Sequence, residues 1–247
     1  MMLRILSYNI RFGGVGRERP LAAAIRKAAP DLVVFQEATR PGVVARLAKD
    51  TGMTSWASTP THSVAYMSRL DVARYAWHRP RASRRAFLEI VLTGPRLRVF
   101  GLHLSAVHSN WTERLRMREL KSMLADIEGR SDGPHVVVGD FNTLAPGETL
   151  DLDRLPFRLQ ILAWLGGRSI RWRTIQTMLD ADYVDGFRLL HPGGEGHTFP
   201  SWDPHLRLDY VFVPAAAAER LRRCEVLNGV EAVAASDHFP VLAELVL

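Results

Sequence analysis

The segment HVVVGDFNTL, residues 135–144, places a short apolar run directly before the sequence Gly-Asp-Phe-Asn. Val136–Val138 has the β-branched composition of a buried strand, and the glycine that follows marks its end. Asp140 and Asn142 therefore lie two residues apart at the end of a strand. A strand end fixes the backbone, so both side chains can face one site. The segment predicts a rigid pair of polar side chains at a strand terminus.

Apolar runs of strand length alternate with helical patterns along much of the chain. Between about residues 73 and 104, strands follow one another without an intervening helix, which argues against a purely parallel sheet. The pattern predicts a mixed α/β architecture of packed β-sheets. The predicted strands are Leu3–Tyr8, Leu32–Phe35, Val64–Met67, Phe87–Leu92, Leu97–Leu104, Val136–Val138, Leu208–Val213 and Val241–Val246. The predicted helices are Pro20–Ala29, Pro41–Lys49 and Trp111–Ile127.

The length and composition set limits on the domain organisation and the compartment. The chain has 247 residues, of which 47% are hydrophobic, and no internal repeat or low-complexity linker divides it. We therefore expect one domain over residues 1–247. Cys224 has no second cysteine to pair with, which favours a reducing compartment. Because no secretory signal and no apolar run of membrane-spanning length is found, we expect a soluble, cytoplasmic protein.

Polar side chains of only four types, Asn, Asp, Glu and His, interrupt the apolar runs at or near the predicted strand ends. Each one alone has an ordinary structural explanation, such as an Asx turn or a hydrogen-bonded core histidine. Together they predict a site, because functional groups in α/β folds gather where strands open onto loops. The residues are Asn9, Glu37, His103, Asp140, Asn142, Asp209, Asp237 and His238.

The residue types in this set indicate the chemistry of the site. Asn, Asp and Glu oxygens without a cysteine cluster are hard ligands, which favour Mg²⁺ or Mn²⁺ over zinc. The histidines then need not bind metal. His238, paired with either Asp209 or Asp237, suits a group that carries positive charge beside a phosphate or passes a proton.

Six short segments carry a resemblance to a known family. They are SYNI (7–10), QE (36–37), GLHL (101–104), GDFN (139–142), RLDYVF (207–212) and SDHFP (236–240). In this order, over nearly the whole chain, they resemble the endonuclease/exonuclease/phosphatase superfamily of metal-dependent phosphoesterases. The resemblance implies a four-layered α/β sandwich, in which two mixed β-sheets pack face to face with helices outside. It also implies a metal-containing site at one edge of the sandwich.

The resemblance assigns the metal-binding residues and the group that activates water. By this resemblance Glu37 is a direct Mg²⁺ ligand, and Asn9 and Asp237 belong to the metal site. Asp140 positions or deprotonates the attacking water, and Asn142 donates to the scissile phosphate. A magnesium ion held by one or two carboxylates keeps room for water and for a phosphate oxygen.

The resemblance also implies phosphate contacts. His238, oriented by Asp209, contacts the phosphate and stabilises the negative charge that grows in the transition state. His103 is a second phosphate contact. Arg207, two residues before Asp209, either binds phosphate as a substrate-binding residue or pairs with a neighbouring acid. Both alternatives stay open at the level of sequence.

The chain departs from the pattern of compact bacterial members between Asn142 and Asp182. An extra segment at about residues 150–180 has Leu155, Leu159, Leu162 and Leu165 at helical spacing, which predicts a helix packed on the domain. The same segment interleaves tryptophans with arginines. This pattern suits either nucleobase stacking or contact with an anionic membrane. The residues concerned are Trp164, Trp172, Arg154, Arg158, Arg168, Arg171 and Arg173.

These observations favour one function among three. We expect a phosphodiesterase that uses Mg²⁺ or Mn²⁺ and in-line attack by water, and most directly a nuclease acting on DNA, since a net charge of +6 suits a polyanionic partner. The alternative is a sphingomyelinase-like or other lipid or small-molecule phosphodiesterase or phosphatase. A catalytically silent binding module is disfavoured, because every expected position carries an expected residue. The family resemblance implies a monomer.

Overall fold

The computed structural model describes residues 1–81, 83–94, 97–106, 109–130, 133–149, 151 and 172–247. The predicted leucine-spaced helix lies outside these residues, and so do Trp164 and most of the arginines in the extra segment. Within the segment, Trp172 and Arg173 are described, and they are followed by helix α4, Thr174–Asp180.

The described residues form two six-stranded sheets and six α-helices. The first sheet has the order β11-β12-β1-β2-β4-β3 and the second has the order β5-β6-β7-β8-β10-β9. The strands are β1 Met2–Asn9, β2 Leu32–Gln36, β3 Ser55–Ala57, β4 Ala65–Ser68, β5 Val72–His78, β6 Phe87–Leu92, β7 Arg98–His103, β8 His135–Asp140, β9 Tyr183–Asp185, β10 Asp209–Pro214, β11 Leu221–Val226 and β12 Val241–Val246. The helices are α1 Glu18–Ala28, α2 Pro41–Thr51, α3 Asn110–Glu128, α4, α5 Gly186–Leu190 and α6 Val230–Ala235.

Both sheets are mixed, as the sequence predicts. β1 pairs parallel with β2 and antiparallel with β12, and β7 pairs parallel with β8. β5, β6 and β7 follow one another as antiparallel neighbours without a helix between them. This antiparallel run accounts for the strands that succeed each other between about residues 73 and 104.

Alternation along the strands divides the core into layers. On β1, Leu3 and Ile5 point into the core between the sheets, where they join Val136 and Val138 of β8. On the opposite face, β1 and β2 pack against α1 and α2. The outer face of the second sheet packs against α3 and α4. Because side chains alternate with a period of two, each central strand is buried on both faces. The predicted four-layered α/β sandwich is confirmed.

Several strands are absent from the sequence-based prediction, and β5 and β11 show why. Both lie at sheet edges, and both carry charged side chains in the middle of the strand, such as Arg74 and Arg223. An edge strand is half solvated, so it lacks the continuous apolar run that marks a buried strand. Among the described residues, no helix combines the length and the apolar composition needed to cross a membrane.

Strand register brings the site together. His103 at the end of β7 pairs with Asp140 at the end of β8, and Asp209 at the start of β10 pairs with Asp140 from the other side. Gly139, with a φ of 150°, permits this arrangement, because a Cβ there would lie 2.1 Å from the carbonyl oxygen of Leu102. Only glycine allows such close backbone contact. The glycine before Asp140 is therefore a requirement of the fold at the site.

Candidate active site

Asp140 lies at the centre of a buried group of polar side chains. Its Oδ2 accepts a hydrogen bond from Asn9 Nδ2 at 2.9 Å, and its Oδ1 accepts one from the backbone N–H of Asn142 at 2.8 Å. Two histidine Nε2 atoms approach Oδ2, that of His103 at 3.8 Å and that of His238 at 4.0 Å. Burial raises the pKa of Asp140, and the charge of His238 opposes that rise. Both imidazoles thus lie close to Asp140 but beyond hydrogen-bond distance.

His238 is paired with Asp209. Its Nδ1 lies 2.8 Å from Asp209 Oδ2, and both side chains are buried. Burial lowers the pKa of His238, but the carboxylates of Asp209 and Asp140 outweigh burial and raise the pKa to about 10. His238 therefore carries a proton at neutral pH, and its Nε2–H is directed towards the side of Asp140.

His103 has the opposite protonation state. Burial lowers its pKa to about 4, with a further lowering by Arg85 and His238 and an opposing effect of Asp140. His103 is therefore neutral at physiological pH. Its Nδ1 is buried and has no hydrogen-bond partner among the described residues. Asp140 thus lies between one neutral and one charged imidazole.

Asn9 and Glu37 lie at the ends of the parallel strands β1 and β2. Glu37 adopts a left-handed backbone conformation, with a φ of 58°, and its Oε2 accepts a hydrogen bond from the N–H of Phe12 at 2.6 Å. Asn9 Nδ2 also lies 3.4 Å from Glu37 Oε1, so one amide group faces the carboxylates of Glu37 and Asp140. The amide oxygen of Asn9 accepts the N–H of Arg11. In this arrangement Asn9 positions two carboxylates.

Asp237 closes the site from the loop before β12. Its Oδ2 lies 3.2 Å from Arg11 Nε, and Ser236 Oγ lies 2.7 Å from the carbonyl oxygen of Asn9. These two contacts join the Ser-Asp-His segment to the end of β1. Asp237 thereby comes to the same edge of the sandwich as Glu37, as the sequence predicts for the strand ends.

The residue types at the site suit a divalent metal ion. Hard oxygen donors of the kind that Glu37, Asp237 and Asp140 carry are typical ligands of Mg²⁺ or Mn²⁺. Among the described residues, the group whose possible ligand atoms all lie within 4.8 Å of one another is Asp140, Asp209 and His238, which includes neither Glu37 nor Asp237. Asp209 Oδ1 in this grouping is buried and accepts no hydrogen bond among the described residues. The assignment of Asn9, Glu37 and Asp237 to metal remains a prediction.

Two other candidates make protein contacts of their own. Arg207 is buried, with Nη1 at 2.6 Å from Asp185 Oδ2 and Nε at 2.7 Å from Glu148 Oε1. Of the two alternatives for Arg207, the structure shows the pairing with acids. Asn142, with a φ of 52°, donates its Nδ2 to the carbonyl oxygen of Leu104 at 3.1 Å. Phosphate contact by Arg207 or Asn142 remains a prediction.

Sequence reasoning misses the residues that support the site. Arg11 and Ser236 fasten the Asp237 loop, and Thr198 Oγ1 accepts the N–H of Asp209 at 3.3 Å. Glu113 of α3 accepts the hydroxyl of Thr143, directly after Asn142, at 2.8 Å. None of these residues interrupts an apolar run at a strand end. Glu113 lies within α3, and a single buried carboxylate there does not alter the periodic spacing of apolar residues by which a helix is predicted from sequence.

The fold and the site define a class of phosphoester hydrolases. The chain belongs to the Endonuclease/Exonuclease/phosphatase family, whose model matches residues 6–238. This match covers nearly the whole chain and includes every candidate site residue. A comparison with curated protein sequences found no match.

Solved structures with the same fold include DNA-acting proteins. A 3′ phosphatase, NExo from Neisseria, bound to a product DNA hairpin, is 20% identical, with a TM-score of 0.73 over 99% of this chain and 100% of that chain. An AP endonuclease from Archaeoglobus fulgidus is 17% identical, with a TM-score of 0.73 over 99% and 100%. An endonuclease/exonuclease/phosphatase from Beutenbergia cavernae DSM 12333 is 24% identical, with a TM-score of 0.69 over 100% and 72%. These similarities establish the shared fold.

Proposed function

We propose that this protein is a metal-dependent phosphodiesterase that hydrolyses DNA by in-line attack of water. The observation that carries the proposal is the buried Asp140 carboxylate, whose Oδ2 accepts a hydrogen bond from Asn9 and lies 3.8 Å from His103 Nε2 and 4.0 Å from His238 Nε2. Hydrolysis of a phosphodiester requires a base for water and positive charge for the phosphate oxygens. Asp140 meets the first requirement, and the neighbouring protonated His238 meets the second.

Asp140 acts as the base in this mechanism. Burial raises its pKa above the usual value, which makes the carboxylate a stronger acceptor for the proton of a water molecule. The hydrogen bonds from Asn9 and from the N–H of Asn142 fix its orientation, so that little reorganisation precedes attack. Asn142, whose Nδ2 donates to the carbonyl oxygen of Leu104, would exchange this bond for one to the scissile phosphate.

His238 stabilises the charge that develops on the phosphate. The Asp209 carboxylate holds its ring through Nδ1, which leaves Nε2–H free to donate to a phosphate oxygen. His103, neutral and on the other side of Asp140, is the second phosphate contact. In this mechanism both histidines contact the same phosphate, and only His238 brings a positive charge.

Glu37 and Asp237 would hold the metal ion, with Asn9 beside them. When bound, Mg²⁺ or Mn²⁺ supplies Lewis-acid stabilisation of charge on the phosphate oxygens. Glu37 is turned towards the site by its left-handed backbone conformation, and Arg11 holds Asp237 at the same edge. Asn9, whose Nδ2 contacts both Glu37 and Asp140, would connect this metal site to the residues around Asp140.

Two observations support DNA as the substrate. The formal net charge of +6 favours a polyanion, and the structures of similar fold include proteins whose names state action on or binding to DNA. The membrane alternative depends on the extra segment at about residues 150–180, most of which lies outside the described residues. We therefore propose nucleic acid, rather than a membrane lipid, as the substrate.

A comparison of substrates tests the proposal. The purified protein is incubated with Mg²⁺ or Mn²⁺ and with either plasmid and oligonucleotide DNA or sphingomyelin liposomes. We expect DNA cleavage that EDTA abolishes. The protein carrying both Asp140→Ala and His238→Ala, purified in the same way, reveals any contaminating nuclease. Release of phosphocholine without DNA cleavage would replace the nuclease with a lipid phosphodiesterase.

A further inference from the structure

Two aromatic side chains beside the candidate active site are largely exposed to solvent. Phe12 is 75% exposed and Trp202 is 63% exposed. Leaving large apolar rings in water forgoes the free energy that burial would supply. Aromatic rings that stay exposed beside a site for nucleic acid can stack on its bases. Phe12 lies beside the proposed metal-binding half, which Glu37 represents, and Trp202 lies beside the histidine half, which His238 represents.

Phe12 is fixed to the metal-binding half. Its backbone N–H donates to Glu37 Oε2 at 2.6 Å, and its own φ of 48° turns the chain away from β1. The Arg11 guanidinium lies 5.4 Å from the centre of the Phe12 ring and also pairs with Asp237. The ring is therefore held beside Glu37 and Asp237 while one side of it stays open to solvent.

Trp202 is fixed to the histidine half. The preceding residue, Ser201, donates its N–H to the carbonyl oxygen of Asp237 at 2.8 Å and its hydroxyl to that of Ser236 at 2.6 Å. The Trp202 ring centre lies 6.5 Å from that of Phe199, and Phe199 lies 4.8 Å from the His238 ring. The loop that carries Trp202 is thus anchored against the segment that contains Asp237 and His238.

We propose that Phe12 and Trp202 stack on two unpaired nucleobases, one on each side of the scissile phosphate. This inference rests on the proposed function. Aromatic rings bind bases through their flat faces without regard to sequence, and those faces are available in single strands and frayed ends rather than in closed duplex. The expected substrate is then narrower than DNA in general: it is DNA with unpaired bases at the cleavage point.

Equilibrium binding tests the stacking separately from catalysis. Two fluorescein-labelled single strands of equal length are compared, oligothymidylate and an oligomer with tetrahydrofuran in place of every base. Fluorescence anisotropy is read in Ca²⁺ and in EDTA. The wild-type protein should bind oligothymidylate more tightly than the base-free oligomer. Phe12→Ala and Trp202→Ala should each weaken oligothymidylate binding about tenfold and leave base-free binding unchanged.

Matched variants distinguish stacking from a general loss of structure. Phe12→Tyr and Trp202→Phe keep a flat ring and should retain the wild-type Kd. Trp111→Ala removes a tryptophan that is similarly exposed, at 67%, from the start of α3, and should also leave the Kd unchanged. An equal loss in Trp111→Ala would overturn the assignment to these two rings.

The outcomes for the two proposals are separable. Equal binding of both oligomers by the wild-type protein, or binding of neither, overturns the stacking even where DNA is cleaved. Base-dependent binding that both alanine variants weaken, without cleavage of any oligonucleotide, supports the stacking and contradicts the proposed nuclease function.

Discussion

At the scale of single residues, two buried histidines on either side of Asp140 are driven to opposite protonation states. His238 gains a carboxylate partner in Asp209 that outweighs the effect of burial, whereas His103 lies 3.8 Å from Asp140 and has no carboxylate at hydrogen-bond distance among the described residues. Proximity to a carboxylate at hydrogen-bond distance therefore decides which imidazole is charged. The site gains one fixed positive charge for a phosphate rather than two.

The charge on His238 should make stability depend on pH in the metal-free protein. Its folded pKa of about 10 lies above the unfolded value of about 6.5, so the stabilisation is complete below pH 6.5 and is lost as pH rises to about 10. Urea unfolding in EDTA should show that the stability difference between wild type and His238→Gln shrinks over this range. A difference that stays constant with pH would contradict the pairing with Asp209.

At the scale of secondary-structure elements, α3 is tied to the loop that follows β8 by a buried carboxylate. Glu113 pairs with Arg116 at 2.9 Å and accepts hydrogen bonds from Thr143 and from the N–H and hydroxyl of Thr174. Burial raises the pKa of Glu113, but Arg116 and these hydrogen bonds outweigh burial and lower it. One side chain thus connects α3, the segment after Asn142 and the start of α4.

Substitution of Glu113 should destabilise the protein strongly. Glu113→Gln removes the carboxylate that pairs with the buried guanidinium of Arg116, and breaking comparable buried pairs costs about 3–5 kcal/mol of unfolding free energy. Asp126→Asn is the control, because Asp126 pairs with Arg130 on the exposed face of the same helix and should cost less than about 1 kcal/mol. Urea unfolding of both variants measures the contrast. Similar costs would contradict a connecting role for Glu113.

The sequence predicts the strand-end residues of the site better than it predicts their supports. Asn9, Glu37 and Asp140 each interrupt an apolar run, so their position at a strand end is visible locally. The contact of Ser236 with the carbonyl of Asn9 joins residues 227 positions apart, and no local pattern encodes such a contact. Edge strands such as β5 are missed for a related reason, because half of their surface faces solvent.

At the scale of the whole molecule, the two sheets approach closely at a glycine. A Cβ on Gly101 of β7 would lie 2.6 Å from a methyl of Val34 and 2.9 Å from a methyl of Val64, both in or beside the strands of the opposite sheet. The apolar core between the sheets therefore has no room for another methyl group at this point. The close packing also sets the relative position of β2 and β7, whose ends carry Glu37 and His103.

Overpacking at Gly101 should weaken the sandwich. Gly101→Ala should cost about 1–3 kcal/mol of unfolding free energy, and adding Val34→Ala should cost less than the sum of the two single changes, because it removes the clashing methyl. Gly94→Ala is the matched control, since a Cβ there meets no atom of the described residues within 4 Å. Strict additivity, measured by urea unfolding, would show that the sheets do not meet at this point.

The central claim is that Asp140 activates water for attack on a phosphodiester, and the single-turnover cleavage rate of DNA by Asp140→Asn tests it most directly. Asparagine keeps the size of the side chain but cannot accept the proton. We predict that the rate at saturating enzyme with Mg²⁺ falls by about 100-fold to 10,000-fold, while the Kd for DNA stays near that of wild type. A cleavage rate within a few fold of wild type would contradict the assignment of Asp140 as the base.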